Sequence, residues 1–264
     1  MQQIVLREWI GPRVSLALSE HEYILANLPF EGTIKIPRDK ILDDNLGIYS
    51  AAIMPQLGEA VAKHPDRLLT TRINDNPVGF DGVALFSGSH PTYDAAGTTF
   101  DNDYGLALTA ENIDIVWADM ASRTGEDGEP LGIDGRLLVV PPALKRVARE
   151  IAKSTNRVVT VTEAGANVAA ATVDNVMAGE YDVLVVPRFA ANPTRWFLFD
   201  VSRPIKPFVR QVRSNPILRA FDSGAERESF DNNEFTYGVD GDDGGSYREN
   251  VGPTLPALSS RSTP

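Results

Sequence analysis

The chain has 264 residues, 42% hydrophobic and 23% charged, with a formal net charge of −11 and no cysteine. That balance gives a globular chain with a sizeable core, built as one large domain or two interleaved ones. It excludes a disulfide scaffold, thiolate metal sites and a cysteine nucleophile, and it argues against adhesion to nucleic acid or anionic membranes, although not against enclosing DNA.

No secretory leader is expected in Met1 to Ile10, and no apolar stretch approaches membrane-spanning length. Val14 to Leu18 and Tyr23 to Leu28 read as strands. Thr33, Ile34 and Ile36 form another, ended by Pro37, with Ile34 and Ile36 on one face and Lys35 opposite. Residues 13–40 therefore read as drawn-out β-hairpin material, although composition alone favours an ordinary sheet edge. Asp43 or Asp44 is placed to cap a helix. Leu46, Tyr49, Ile53, Leu57, Ala60, Val61 and His64 then recur at steps of three and four, one face of an amphipathic helix. Pro55 and Gly58 predict a kink or a late start, and Pro65 divides this helix from a second piece over Asp66 to Ile73. An extended arm feeding a long helix suits reaching a neighbouring subunit better than lining a pocket.

Residues 82–105 read as a loop ordered by Phe86, Tyr93 and Phe100. Leu106 to Met120 is a predicted helix, with Thr109 as N-cap and Ile113, Val116, Trp117 and Met120 as its buried stripe. The apolar run Leu137 to Val140 is a strand buried on both faces. Pro142 starts a helix whose Leu144, Val147, Ala148 and Ile151 face inward and whose Lys145, Arg146, Arg149 and Lys153 make a basic outer face. Val158 to Val161, Tyr181 to Val186, Trp196 to Val201, Ile205 to Val212 and Phe230 to Val239 are strand candidates, while residues 166–180 fit helix or loop. Residues 240–264, rich in Gly, Pro and Ser, read as an extended or mobile tail.

The chain carries no HExxH, no P-loop and no GxGxxG. His21, His64 and His90 are not paired at metal-ligand spacing. His90, between Ser89 and Asp94, is the one triad-like arrangement, but no G-x-S-x-G elbow surrounds Ser89, and a hydrogen-bonded structural histidine is the default. Asp240 to Gly245 lacks the alternating ligands of a calcium loop. Neither a cofactor nor a metal is expected. Trp9, Trp117 and Trp196 read as core or interface anchors.

Several motifs recur in one order: Trp9-Ile-Gly-Pro-Arg13, Phe30-Glu-Gly-Thr-Ile34 with Arg38-Asp39, Asp43-Asp44-Asn-Leu-Gly47 with Tyr49, Leu57-Gly58 and Pro65-Asp66. Asp81-Gly82, Phe86 with His90, Leu138-Val-Val-Pro-Pro142, Val186-Pro187, Trp196 and Tyr237-Gly-Val-Asp240 continue it. In these the chain, from about Trp9 to Tyr247, resembles the Mu-like phage major head protein family. The resemblance implies an α+β chain with the Hong Kong 97-type capsid fold. It implies a residual N-terminal arm over 1–12, an extended β-hairpin loop over 13–42 and a peripheral domain with a spine helix over 43–156. An axial domain over 157–225, a return to the peripheral domain over 226–247 and a tail over 248–264 complete the division.

The implied function is a non-enzymatic major capsid protein that self-assembles into the icosahedral head of a tailed phage. Its partners would be copies of itself, in pentamers and hexamers, with scaffold, portal and decoration proteins. It would enclose DNA without sequence-specific binding, touch no membrane, assemble in the host cytoplasm and reside in the virion. Trp9, Arg13, Tyr23, Glu31, Lys35, Arg38, Asp43, Asp44 and Trp196 are the inter-subunit contact candidates. Lys35 and Lys40 lie on the expected arm, but no covalent cross-link is expected of them. Deleting residues 15–35 is expected to leave a folded, assembly-defective subunit. The alternatives are a capsid-like shell of a gene-transfer particle or nanocompartment, and a hydrolase using His90.

Overall fold

The computed structural model describes residues 24–44, 47, 54–92, 97–161, 169–221, 233–242 and 246–264. In chain order the first elements are β1 (Leu28–Phe30), β2 (Gly32–Pro37), α1 (Arg38–Leu42), α2 (Met54–Ala62) and α3 (His64–Asp75). Then come β3 (His90–Pro91), β4 (Thr99–Phe100), β5 (Asp103–Tyr104), α4 (Ala110–Ser122), β6 (Leu137–Val140), α5 (Lys145–Lys153), β7 (Asn156–Val161) and β8 (Ala169–Asp174). The last are β9 (Asp182–Val185), β10 (Trp196–Phe199), β11 (Phe208–Ser214), β12 (Pro216–Phe221), β13 (Glu234–Gly241), β14 (Tyr247–Pro253) and β15 (Ser259–Ser262). They fall into two units, one of residues 24–73 and 209–252, the other centred on 74–208 with 253–264.

The unit containing 74–208 is built on a five-stranded sheet of order β5-β15-β10-β6-β9. β10 runs antiparallel to β6 and β15, whereas β6 and β9 are parallel. Leu138, Val140, Trp196 and Leu198 share a core with Ile113, Val116 and Met120 of α4 and with Ala148, Ile151 and Ala152 of α5. Thr109 caps α4 by accepting the Asn112 N–H, as its sequence predicts. Phe197, in register with Val139, packs in the opposite direction against Phe86 and Phe189, ring centroids 5.5 and 5.2 Å away. Gly135 is required by close approach: a Cβ there would lie 2.9 Å from Leu198 Cγ and 3.1 Å from Met120 Sδ. Trp117 departs from its expected place. It is 38% exposed, and its indole N–H donates to Asp134 Oδ1 at 3.1 Å.

The expected tail is structural. β15 lies inside the sheet between β5 and β10, and Ser259, Ser260 and Ser262 are buried. Ser262 Oγ accepts the Leu106 N–H at 2.7 Å and donates to the Leu106 carbonyl at 2.6 Å. The Arg123 guanidinium, just past α4, donates to the carbonyls of Ala257 (2.7 Å), Ser259 (3.2 Å) and Asp101 (2.9 Å), and to Ser260 Oγ at 2.9 Å. Asp119 Oδ2 lies 3.1 Å from it, and the Phe100 ring sits under it, 5.0 Å from centroid to Cζ. A serine-rich segment orders here because its hydroxyls and carbonyls each meet a buried partner. β6 pairs with both β9 and β10, which lie on the far side of the expected boundary between residues 156 and 157.

In the unit containing 24–73, β1-β14-β11 make one three-stranded sheet and β12-β13-β2 another. The expected hairpin is not formed by the described residues: β1 pairs with β14 and β2 with β13. Only Glu31 separates β1 from β2, too few residues to turn the chain back on itself. α1 begins at Arg38 directly after Pro37, so Asp43 is its C-cap rather than an N-cap, its N–H donating to the Asp39 carbonyl at 2.9 Å. The amphipathic stripe is described from α2 onward, where Leu57 is buried and Ala60 exposed; Leu46, Tyr49 and Ile53 lie outside the described residues. Of residues 166–180, those from 169 onward form β8 and a turn, and β11 starts only at Phe208, after Pro207.

A buried polar cluster joins α3 to the β1-β14-β11 sheet. Glu249 is fully buried and accepts from Arg210 Nε at 2.7 Å. His64 Nε2 faces Glu249 Oε1 at 3.5 Å, too far for a hydrogen bond, and both atoms lack another partner. The Phe30 ring meets the imidazole edge-on at 4.3 Å. Burial holds the His64 pKa below the usual histidine range; Glu249 opposes this, and Arg67 and Arg210 reinforce it.

Two predictions follow from these contacts. Arg123→Ala removes the guanidinium that donates to the Ala257 and Ser259 carbonyls and to Ser260 Oγ, and should lower the unfolding free energy by at least about 3 kcal/mol in urea titrations. Arg149→Ala, on an exposed helix face, should change it by no more than about 0.5 kcal/mol; a loss below about 1 kcal/mol for Arg123→Ala contradicts the clamp. His64, with a lowered folded-state pKa, binds its proton more readily when unfolded. Its contribution to stability therefore falls as pH drops through about 6.5. Between pH 7.5 and 5.5, His64→Phe should lose less stability than the parent, and an equal or greater loss contradicts the assignment.

Candidate inter-subunit interface

The β12-β13-β2 sheet gathers Glu31, Lys35 and Arg38, three of the residues singled out from the sequence. Its register sets Leu218 opposite Val239 and Val239 opposite Gly32; Ala220 faces Tyr237, which faces Ile34. Because side chains alternate along a strand, the sheet has two unlike faces. One carries Leu218, Ala220, Val239, Tyr237, Phe235, Ile34 and Ile36. The other carries Ile217, Arg219, Phe221, Asp240, Thr236, Thr33 and Lys35. On that mixed face Arg219 Nε pairs with Asp240 Oδ2 at 3.2 Å, with both side chains partly solvated.

The apolar face is covered unevenly. Over β2, Ile36 is 3% exposed, and a Cβ on Gly32 would touch the Leu57 methyl of α2 at 3.8 Å. β13 is half-buried from Glu234 to Asp240. On β12, Leu218 is 57% exposed, and Ile217 and Phe221 on the mixed face are 41% and 46% exposed. The outer edge of β12 has no strand partner among the described residues. A free, apolar edge strand of this kind is a template for another chain.

The remaining candidates are placed as follows. Glu31 is exposed between β1 and β2, and Lys35 is exposed on the mixed face. Arg38 stacks its guanidinium over the Phe235 ring at 5.7 Å, and its N–H donates to the Asn233 carbonyl at 2.9 Å. Asn233 adopts φ 52° there, a left-handed conformation that asparagine tolerates. Asp43 and Asp44 end α1. Trp196 is a correction: it is fully buried in the five-stranded sheet's core and donates its indole N–H to the Leu106 carbonyl at 2.9 Å, so it offers no surface to a partner. Trp9, Arg13 and Tyr23 lie outside the described residues. Deleting 15–35 would remove β1 and most of β2, and so strip β14 and β13 of paired strands. That deletion cannot separate assembly from folding. Sequence reading missed Ile217, Leu218 and Phe221, although the largely apolar Pro216-Ile-Leu-Arg-Ala-Phe221, interrupted only by Arg219, follows a Ser-Asn break and carries a strand signal.

The enzyme-like feature is already committed. His90 is fully buried, with Nδ1 2.6 Å from Asp81 Oδ2 and Nε2 3.1 Å from the Leu85 carbonyl. Both ring nitrogens are engaged, and the ring stacks on Phe100 at 5.1 Å. Asp81 is the carboxylate beside it, and Asp94 lies outside the described residues. Among the described residues no group of three or more His, Asp or Glu is placed to hold a metal ion. No helix among them is long and apolar enough to cross a membrane.

The family profile described as "Mu-like prophage major head subunit gpT" matches residues 1–105, 103–189 and 174–263. Over 110 residues the chain is 38% identical to the major capsid protein of Escherichia phage Mu, covering 41% of this chain and 34% of that protein. Over 247 residues it is 26% identical to the Mu-like prophage FluMu major head subunit of Haemophilus influenzae, covering 94% of this chain and 54% of that one. The chain thus spans about half, or less, of the length of these relatives. Among solved structures it is similar to the capsid of bacteriophage JBD30, with TM-score 0.56 and 22% identity, covering 70% of this chain and 82% of that chain. The procapsid of the same phage gives TM-score 0.52 and 23% identity, covering 98% of this chain and 59% of that chain. The fold is the α+β, Hong Kong 97-type capsid fold, and the chain belongs to the Mu-like prophage major head subunit gpT family.

Proposed function

We propose that this chain is a major head-shell subunit that self-assembles into a closed icosahedral shell enclosing a phage genome. The observation that carries this reading is the β12-β13-β2 sheet, whose apolar face is covered over β2 and bare over β12. Burying such a face against a second copy gains roughly 25 cal/mol per Å² of apolar surface. A modest gain per contact becomes a stable shell when repeated around closed symmetry. Membership of a head-subunit family supports the same reading, as do the assembled shells named for its structural neighbours.

The chemistry is assembly, with no catalytic step. His90 has no ring nitrogen left for a substrate, which supports a structural role. The net charge of −11 suits a wall that repels its polyanionic contents rather than adhering to them. Copies in pentamers and hexamers are the principal partners, with scaffold, portal and decoration proteins completing the head. The subunit assembles in the host cytoplasm and resides in the virion.

Leu218→Asp places a charge on the bare apolar face without touching a buried residue. It should reduce shells seen in electron micrographs by about tenfold or more, with the thermal midpoint within about 3 °C of the parent. Parental shell yield from Leu218→Asp overturns the role of this face.

A further inference from the structure

A second surface, in the unit containing 74–208, has the makings of a docking site. Between α4 and the turn after β8 lies a cleft of about 280 Å³, lined by Asp114, Trp117, Asp134, Val176, Glu180 and Tyr181. Trp117 is exposed, yet held in one orientation by its hydrogen bond to Asp134. The turn is held just as firmly. Asn175 Nδ2 donates to the carbonyls of Ile151 (2.7 Å) and Ser154 (2.8 Å), and the Gly179 N–H donates to Ala152 at 2.8 Å. This fixed turn presents Val176 at 88% exposure, and Ile115 on α4 is 54% exposed. Neither serves the unit's own core. Arg136 also lines the cleft and is paired with Asp134 at 2.5 Å, so the exposed Asp114 and Glu180 at the rim leave the cleft net acidic. Together with the rigid aromatic and aliphatic lip, this fits an occupant that is basic with an apolar stem.

The same unit carries such an occupant. The exposed face of α5 holds Lys145, Arg146, Arg149 and Lys153, with Glu150 the only acid in the helix. In a chain of net charge −11 this is a local inversion of sign. We propose that the cleft of one copy receives the basic α5 face of a second copy. Two different surfaces meet in this contact, so it is head-to-tail and propagates around a ring. The inference rests on the assembly reading above and names a contact distinct from the β12 face. Charge complementarity sets its register, while Trp117 and Val176 cover the lysine and arginine stems.

The test is charge exchange in the full chain, read as shell yield by sedimentation and electron microscopy, with circular dichroism checking the fold. Asp114→Lys with Glu180→Lys, and Lys145→Glu with Arg149→Glu, should each cut the yield by about tenfold or more, and all four together should recover it to within about threefold of the parent. Val176→Ser, which leaves every charge in place, should also lower the yield. Parental yield from both charge pairs, or no recovery in the fourfold variant, overturns the contact. Normal shells that have lost their DNA in Lys145→Glu/Arg149→Glu also overturn it, because the basic face then belongs to nucleic acid. If Leu218→Asp abolishes shells while these variants do not, the contact falls and the assembly reading stands. If the parent chain forms no shells, that reading itself fails.

Discussion

The buried guanidinium of Arg123 is the constraint on which the unit containing 74–208 depends. A charge removed from water must be met on nearly every donor, and Arg123 is met by carbonyls and hydroxyls from the loop before α4 and from the segment leading into β15. β15 in turn is an interior strand, flanked by β5 and β10. Residues near the end of the sequence therefore close the sheet whose middle strands come from residues 137–199. Such long-range closure makes the unit all-or-none: β10 loses a neighbour if β15 leaves, and the Arg123 donors lose their acceptors at the same time.

The β12-β13-β2 sheet presents the opposite situation. Its strands satisfy one another's main chain, but the apolar face is covered from one side only. An apolar surface that a single copy cannot bury is a cost to the isolated subunit and a driving force for association. Among the described residues the sheet is thus ordered enough to present a defined surface and bare enough over β12 to offer that surface to another chain. Specificity comes from its two unlike faces and from polar groups such as the Arg219–Asp240 pair, which resist a slipped register.

Local patterns were readable in the sequence where short-range physics decides the structure. The Thr109 cap, the Leu137–Val140 strand, the Pro142 start and the opposition of Lys35 to Ile34 and Ile36 all follow from spacing within a few residues. Pairings were not readable, because strand partners are chosen by tertiary contact. β1 and β2 are neighbours in sequence, yet each pairs with a strand from beyond residue 230. The serine-rich end was misread for the same reason: composition predicts mobility, and only buried partners such as Arg123 and the Leu106 backbone explain its order. At the candidate interface, Glu31, Lys35 and Arg38 could be picked out by motif. The exposure of Ile217, Leu218 and Phe221 could not, since an apolar hexamer looks alike whether it enters a core or leaves one.

Amide hydrogen exchange of residues 216–221, compared between dissociated subunits and assembled particles, tests the central claim most directly. Among the described residues β12 has no strand partner on its outer edge, and its side chains are exposed. Its free-edge amides should therefore exchange fast in dissociated subunits and be protected at least about tenfold in particles. Equal exchange in both states would show that β12 meets no neighbour, and would contradict the account.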